Sequence, residues 1–451
     1  MTKTTISAII DRLGVTKYTW TIWILVGLAL VFDGYDYIIV TYTMPQMAQE
    51  WGLTKVQTGS LASWSMLGVV IGGVIAGMCS DRFGRKKTLA FFVAFYSLLT
   101  FPIYFAPSFA VFAMLRIISG IGIGACIPVA ITLASENFPT KNRGFFTAAT
   151  LCFYGWGWVL GGIVALNVVP AYGWRVCFLI GGLPALYAIF ILYKLPESMA
   201  WLIGKGREAE AIEIIKRMEK VATGKSSEWL PGSIVLPAPP KKVGVTALFS
   251  SGYVKATIGV WLLYFMSMFI IYGVTSWMPT LLVERGYGLV LGYSFSILQN
   301  LVGSIGGFAT GFVADIIGRR KNVIYSFLFT AAAIFLLGSV TGKWPVLIIA
   351  VLVGVCMQYA NGGALPLMTE IYPTEFRNTG VSWAQSFGRI AGFLSPLIVG
   401  YVQQLGLDFS NTMKMFAIPA IICVLVSVFL IVETKGRTVD SIVGIKVGEF
   451  N

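Results

Sequence analysis

Gly77-Met78-Cys79-Ser80-Asp81-Arg82-Phe83-Gly84-Arg85-Lys86-Lys87 returns, 234 residues later, as Gly311-Phe312-Val313-Ala314-Asp315-Ile316-Ile317-Gly318-Arg319-Arg320-Lys321. Farther along, Glu136, Pro139, Thr140 and Arg143 return as Glu370, Pro373, Thr374 and Arg377 at the same 234-residue offset. Two motifs that share one offset mark a duplicated unit, because chance seldom aligns both. In each copy a helix C-terminus and an aspartate gather the basic residues of a tight glycine turn. Long apolar stretches flank both turns.

Working outward from the turns, a bilayer crossing takes about 20 mostly apolar residues, and the sequence offers twelve such stretches. They are Thr19–Met44, Gln57–Cys79, Thr88–Ala106, Phe109–Ala134, Gly144–Val168 and Arg175–Lys194, then Tyr253–Leu282, Val290–Val313, Asn322–Thr341, Lys343–Met368, Thr379–Val402 and Thr412–Val432. The 451 residues are 57% hydrophobic and 12% charged, whereas a soluble domain is about 25% charged. One soluble core cannot hide that much apolar surface, so lipid is the solvent for most of the chain. The expected organisation is an N-terminal six-helix bundle (1–195), a linker (196–252) and a C-terminal six-helix bundle with a short tail (253–451). The linker carries a charged helical run, Gly206–Lys220, and then Pro231, Pro237, Pro239 and Pro240. Ahead of the first span, Thr4–Leu13 reads as a short amphipathic segment.

The formal charge of +13 raises the possibility of a nucleic-acid partner. Sorting the Lys and Arg by side of the membrane removes it. Lys55, Arg175, Arg285, Lys343 and Lys414 fall on one side and Arg116 and Arg389 inside apolar stretches; the remaining basic residues lie on the other side, at both termini and in alternate loops. This is the positive-inside pattern, which predicts a multi-pass protein of the cell (inner) membrane with both termini cytoplasmic. The six cysteines lie in or beside apolar stretches with no disulfide or metal spacing, and histidine is absent. Any proton handling therefore falls to carboxylates. With no nucleophile–base pair and no metal cluster in view, an enzyme, a metal and a cofactor are not expected. The expected partners are a small organic anion, protons and the bilayer, with no nucleic acid, and the chain is expected to act as a monomer.

The repeated Gly-x-x-x-Asp-x-x-Gly-Arg-Arg/Lys loop in a twelve-helix setting resembles the major facilitator superfamily. That resemblance implies an all-α membrane fold of two pseudo-symmetric six-helix bundles, packed around a midplane cavity that opens alternately to each side. It also implies that Gly77, Asp81, Arg82, Gly84, Arg85, Glu136 and Arg143, with Asp315, Gly318, Arg319, Arg320, Glu370 and Arg377, form a charge latch that holds the halves in one state. The glycine ladders Gly68, Gly72, Gly73, Gly77 and Gly303, Gly306, Gly307, Gly311 suit close helix approach.

Duplication is also a filter, since shared residues serve the scaffold while charges in one half alone are candidates for chemistry. Asp33 and Asp36 of the first span face Ser267 and Ile270 in the other copy; Arg116 faces Ala350, and Arg389 faces Gly155. A charge at the bilayer centre costs at least about 2.5–3.5 kcal/mol, so such residues turn to a partner or a cavity. Asp33 and Asp36 share one helix face, and two carboxylates so close resist ionising together. They are the proton-coupling candidates. Arg116 either neutralises one of them as structure or takes part in releasing its proton. Arg389 lies about 15 Å into its span, where a guanidinium can hold a carboxylate by two parallel hydrogen bonds. Tyr272, Trp277, Gln358, Tyr359 and Asn361 are further candidates for lining the substrate site.

Asp33-Gly34-Tyr35-Asp36 resembles the Asp-Gly-x-Asp motif of the aromatic acid:proton symporter family. Ile10-Asp11-Arg12-Leu13, Tyr272 through Leu281, Gly388-Arg389-Ile390 and Ser395-Pro396 support it. The resemblance implies proton-coupled uptake of a benzoate-like or hydroxybenzoate-like carboxylate. Pro196-Glu197-Ser198 and Glu433-Thr434-Lys435-Gly436 are similar to segments of sugar porters and organic ion transporters, which keeps a proton-coupled sugar, sialate or nicotinate-type porter open. A transporter-like nutrient sensor is the non-transport alternative and would need a sizeable extra signalling domain.

Overall fold

The computed structural model describes residues 4–230, 232–235, 245–250, 252–373 and 377–435. Pro231, Pro237, Pro239, Pro240, Thr374 and Gly436 lie outside the described residues. The first half comprises α1 (Ile6–Leu13), α2 (Lys17–Glu50), α3 (Lys55–Phe83), α4 (Arg85–Thr100), α5 (Phe109–Asn137), α6 (Thr140–Tyr172), α7 (Arg175–Gly181) and α8 (Pro184–Lys194). Two shorter helices, α9 (Met199–Gly204) and α10 (Glu208–Thr223), follow in the segment expected as linker. The second half comprises α11 (Val254–Leu282), α12 (Leu289–Ile317), α13 (Arg319–Ser339), α14 (Lys343–Ile371), α15 (Arg377–Gln404), α16 (Phe409–Met415) and α17 (Ala417–Phe429).

Among the described residues, eleven helices are long and apolar enough to cross a membrane. The expected eleventh span is the 28-residue helix α15, whose Gln385, Ser386 and Arg389 lower its hydropathy. Several helices outrun the expected spans, as in Lys17–Glu50 against Thr19–Met44, because backbone hydrogen bonding continues past the apolar core into polar ends. Among the described residues, the third span passes from α4 into a 3-10 turn at Phe101–Phe105, and two others bend. The sixth bends between α7 and α8 at Gly182-Leu183, and the twelfth at Phe416 between α16 and α17.

Packing divides the chain into two compact units that cut across chain order: Met1–Ile39, Leu67–Val164 and Tyr172–Pro239 form one, and Val40–Met66, Ala165–Ala171 and Pro240–Asn451 the other. Within the first unit, glycines bring α3 and α5 together. A Cβ on Gly68 would collide with the Ile117 carbonyl, and one on Gly124 with that of Val69. In the second unit α12 and α14 repeat the crossing, with a Cβ on Gly303 only 2.8 Å from the Gly354 carbonyl oxygen. Gly77 has open space around it, so its place in the ladder is not set by packing.

The first unit also carries a small cap. Strand β1 (Thr4–Thr5) pairs in parallel with β2 (Ile234–Val235). Ile6, Ile9 and Ile10 of α1 bury against Met199, Ile212, Ile215, Met218 and Ile234. Arg12 reaches the buried Glu219 at 2.6 Å, and Glu219 also accepts from the Ser227 N–H at 2.7 Å and from Trp229 Nε1 at 3.2 Å. Asp11 accepts from the N–H and hydroxyl of Thr140, at 2.6 and 2.9 Å, and so caps the N-terminus of α6. The amphipathic segment thus becomes a staple between the linker helices and the fifth span.

Candidate functional site

Each residue of Asp33-Gly34-Tyr35-Asp36 has a separate place in the first unit. Gly34 lets α6 approach, since a Cβ there would meet the Tyr154 carbonyl and one on Gly157 the Val31 carbonyl. Tyr35 donates its hydroxyl to the Cys177 carbonyl at 2.7 Å. Asp36 Oδ2 accepts from Arg116 Nη1 at 2.8 Å, and Asp36 Oδ1 from Thr100 Oγ1 at 2.7 Å. Arg116 Nη2 also donates to the Asp36 backbone carbonyl at 3.0 Å. Asp36 and Arg116 are both 0% exposed. The two α2 carboxylates are not equivalent: the salt bridge belongs to Asp36, while Asp33, equally buried, lies within electrostatic reach of Tyr96 and Cys126. A wholly buried ion pair needs all its hydrogen bonds to offset the loss of water. Asp36 receives them from two helices, α4 through Thr100 and α5 through Arg116.

In the second unit Arg389 is half-buried on α15. Glycines draw this helix onto α11: a Cβ on Gly388 would lie 2.5 Å from the Tyr264 ring, and one on Gly392 would lie 2.7 Å from that of Tyr272. Tyr264 is within electrostatic reach of Arg389. Trp261 stacks on Trp383 at 6.3 Å and meets Phe387 at 5.4 Å, so the α11–α15 seam around the arginine is aromatic. Trp277 is 0% exposed and donates its Nε1–H to the Pro396 carbonyl at 2.9 Å, which gives it a bracing role at the same seam. On α14, Tyr359 donates to Asn322 Oδ1 at 2.7 Å, and Asn322 Nδ2 to Thr310 Oγ1 at 3.0 Å. Asn361 Oδ1 accepts from Ser267 at 3.3 Å, and Gln358 lies half-buried with its Cγ beside Gly303.

The repeated motifs close as two matching charge clusters, each within its own unit. Arg85 meets Asp81 at 3.3 Å and Glu136 at 3.4 Å; Arg319 meets Asp315 at 2.6 Å and Glu370 at 3.0 Å. The turn glycines Gly84 and Gly318 have φ of 95° and 100°, a region that disfavours side chains. Arg143 and Arg377 donate to the carbonyls of Phe138 and Tyr372, at 3.4 and 3.2 Å. Arg320 donates to the Ser427 and Val428 carbonyls, and Arg82 lies exposed over the Phe83 ring.

Each cluster also holds a member that repeat reading did not assign to it. Glu197 accepts from the N–H groups of Arg85 and Lys86 at 2.7 and 3.0 Å. Glu433 accepts from those of Arg319 and Arg320 at 2.8 and 3.2 Å. Both carboxylates cap helix N-termini, where the macrodipole favours negative charge. Burial raises the Glu433 pKa, but the N–H bonds from Lys435, Arg319, Arg320 and Lys321 outweigh it and hold the group below its usual range. Glu197-Ser198 and Glu433-Thr434 stand 236 residues apart, two more than the repeat offset, and that small slip hid them from a fixed-offset comparison.

Long apolar helices built twice over, with an ion pair sealed inside one unit and an unduplicated arginine on an aromatic seam in the other, suit a polytopic membrane transporter, and the proteins this chain is similar to are transporters, not enzymes. The family model described as Major Facilitator Superfamily matches residues 24–396 and 295–444, and the chain belongs to that superfamily. It is 31% identical to the niacin transporter NiaP of Acinetobacter baylyi, over 96% of this chain and 98% of that protein. It is 32% identical to the gallate transporter of Pseudomonas putida, with 91% of each covered. To the 4-hydroxybenzoate transporter PcaK of Acinetobacter baylyi it is 30% identical, over 92% of this chain and 91% of the relative. Among solved structures, the partially occluded inward-open xylose transporter XylE from E. coli matches with a TM-score of 0.75 at 19% identity, covering 94% of this chain and 100% of that one. The fold is that of the superfamily, as the duplicated turns imply.

Proposed function

We propose that this transporter carries a small aromatic carboxylate of the benzoate or hydroxybenzoate type into the cell by symport with protons, across the inner membrane and with both termini cytoplasmic. The observation that carries the reading is Arg389, an unduplicated guanidinium on a helix drawn by Gly388 and Gly392 onto Tyr264 and Tyr272. A guanidinium recognises a carboxylate bidentately, and aromatic side chains suit an aromatic ring through edge-to-face or offset contact. Carriers of niacin, gallate and 4-hydroxybenzoate being similar along nearly the whole chain supports the same substrate class. Tyr272, Gln358 and Asn361 supply further ring and polar contacts.

For the proton, Asp36 is the carrier we favour, with Asp33 beside it on the same helix face. Protonating Asp36 removes the charge that Arg116 and Thr100 together satisfy, so the ionised, paired state is restored once the proton leaves. Arg116 thereby drives proton release. The two arginine clusters act as latches on alternate states.

The test is uptake by reconstituted proteoliposomes of labelled benzoate, 4-hydroxybenzoate and nicotinate, with and without an imposed inward proton gradient. Accumulation of a hydroxybenzoate that collapses with a protonophore, is competed by benzoates and ignores hexoses is the expected result. Competition by a hexose, or accumulation indifferent to the proton gradient, would sink the corresponding half of the reading.

A further inference from the structure

The faces of α15 sort by their partners. Ile390, Ile398, Tyr401 and Leu405 are between 39% and 63% exposed and fall in one stripe along the helix, an apolar side suited to lipid. A second face, with Gly388, Gly392 and Ser395, packs on α11; Ser395 donates to the Phe269 carbonyl at 2.6 Å. A third row steps by three and four residues through Ser382, Gln385, Arg389, Phe393, Pro396 and Gly400.

At one end this third row is pressed by α3. Ser63 donates to the Phe393 carbonyl at 2.7 Å, a Cβ on Gly59 would collide with the Pro396 carbonyl, and one on Gly400 would lie 2.5 Å from the Lys55 carbonyl oxygen. At the other end the row carries Arg389 and Gln385, both half-buried and both turned away from the lipid stripe. Gln385 makes no hydrogen bond among the described residues, whereas the neighbouring Ser386 hydroxyl is spent on the Ser382 carbonyl at 2.9 Å. The amide's two donors and its acceptor are therefore open to a ligand. In the other copy the two positions are Leu151 and Gly155, so the amide and the guanidinium are absent from it together.

We propose that Gln385 is the second anchor of the substrate: Arg389 holds the carboxylate, and the Gln385 amide hydrogen-bonds a polar group on the far side of the ring. This rests on the aromatic-carboxylate reading above and adds what it leaves open, how the carrier ranks ring substituents. Four residues of helix advance about 6 Å, the length of a benzene ring with its para substituent. A ring lying along the row therefore reaches both side chains. The amide oxygen accepts from a phenolic hydroxyl, and its N–H groups donate to a ring acceptor. A ring with no such group would leave the amide unpaired, so the carrier prefers hydroxylated rings.

The experiment measures binding of 4-hydroxybenzoate and of benzoate to the purified full chain by calorimetry, for the parent, Gln385→Leu, Gln385→Met and Arg389→Ala. Gln385→Met keeps the length and volume of the side chain and guards against misfolding by the leucine variant. The parent is expected to bind 4-hydroxybenzoate more tightly than benzoate. In both Gln385 variants the ratio of the two affinities should fall about tenfold, the factor for one hydrogen bond left unmade, while Arg389→Ala weakens both ligands together. An unchanged ratio in the Gln385 variants, a parent without preference, or loss of both ligands at constant ratio would overturn the assignment and leave the aromatic-carboxylate reading intact. Binding of neither acid to the parent would overturn both.

Discussion

Replacing Asp36 by Asn keeps the side-chain shape and removes its charge, which isolates what the buried pair contributes. The amide oxygen can still accept from Thr100, and the Arg116 Nη2 bond to the backbone carbonyl survives. What is lost is the 2.8 Å charge-assisted bond from Nη1, about 1.5–3 kcal/mol by itself. A guanidinium with 0% exposure is then left without a counter-charge, and breaking a buried pair in this way destabilises by about 3–5 kcal/mol in total. Arg116→Leu should be milder, because the orphaned carboxylate can take up a proton and keep its Thr100 bond. The double variant removes both charges and should recover part of the loss, with a coupling energy of about 2–3 kcal/mol. Unfolding of the four proteins in mixed micelles, followed by tryptophan fluorescence, gives the cycle. If the single losses add to the double loss within about 0.5 kcal/mol, the two residues do not act as a pair, and the account of Asp36 as the coupling carboxylate loses its physical basis.

Three further outcomes follow from the packing. Gly34→Ala should destabilise the protein by about 1–3 kcal/mol, the usual range for overpacking, since the new methyl meets the rigid Tyr154 carbonyl; an unchanged thermal midpoint would mean that α2 and α6 are not held this close. Glu219→Gln should loosen the cap, because one carboxylate binds Arg12, Ser227 and Trp229. Faster proteolytic cleavage within residues 199–235 would show it, with uptake serving to tell whether the cap matters for transport. Asp11 is held below the usual carboxylate range by the Thr140 N–H, the Thr140 hydroxyl and the Arg143 charge. Its capping of α6 is therefore fully present above the unfolded value of about 3.9 and lost as pH falls through the lower folded value; Asp11→Asn should abolish that pH dependence in the amide exchange of Thr140, and a parent-like profile would exclude it.

From the sequence alone, the offset between Asp81 and Asp315 determined that the chain is a duplicated membrane bundle, because helix length, apolarity and turn chemistry are local properties written into consecutive residues. The same comparison singled out Asp33, Asp36, Arg116 and Arg389, since a charge inside an apolar stretch is visible without coordinates. Which partner each charge takes was decided only by tertiary structure. Nothing in the spacing distinguishes Asp36 from Asp33, and Arg116 binds the former because α4 and α5 bring Thr100 and the guanidinium to that one carboxylate. Likewise Trp277 reads as an aromatic available to a ligand until α15 places the Pro396 carbonyl on its N–H. Glu197 and Glu433 join the arginine clusters from far along the chain, and Asp11 becomes the cap of a helix that starts 129 residues later. Such roles depend on directions and distances between helices, and these are set by the glycine contacts that let the helices meet, not by the order of residues along the chain.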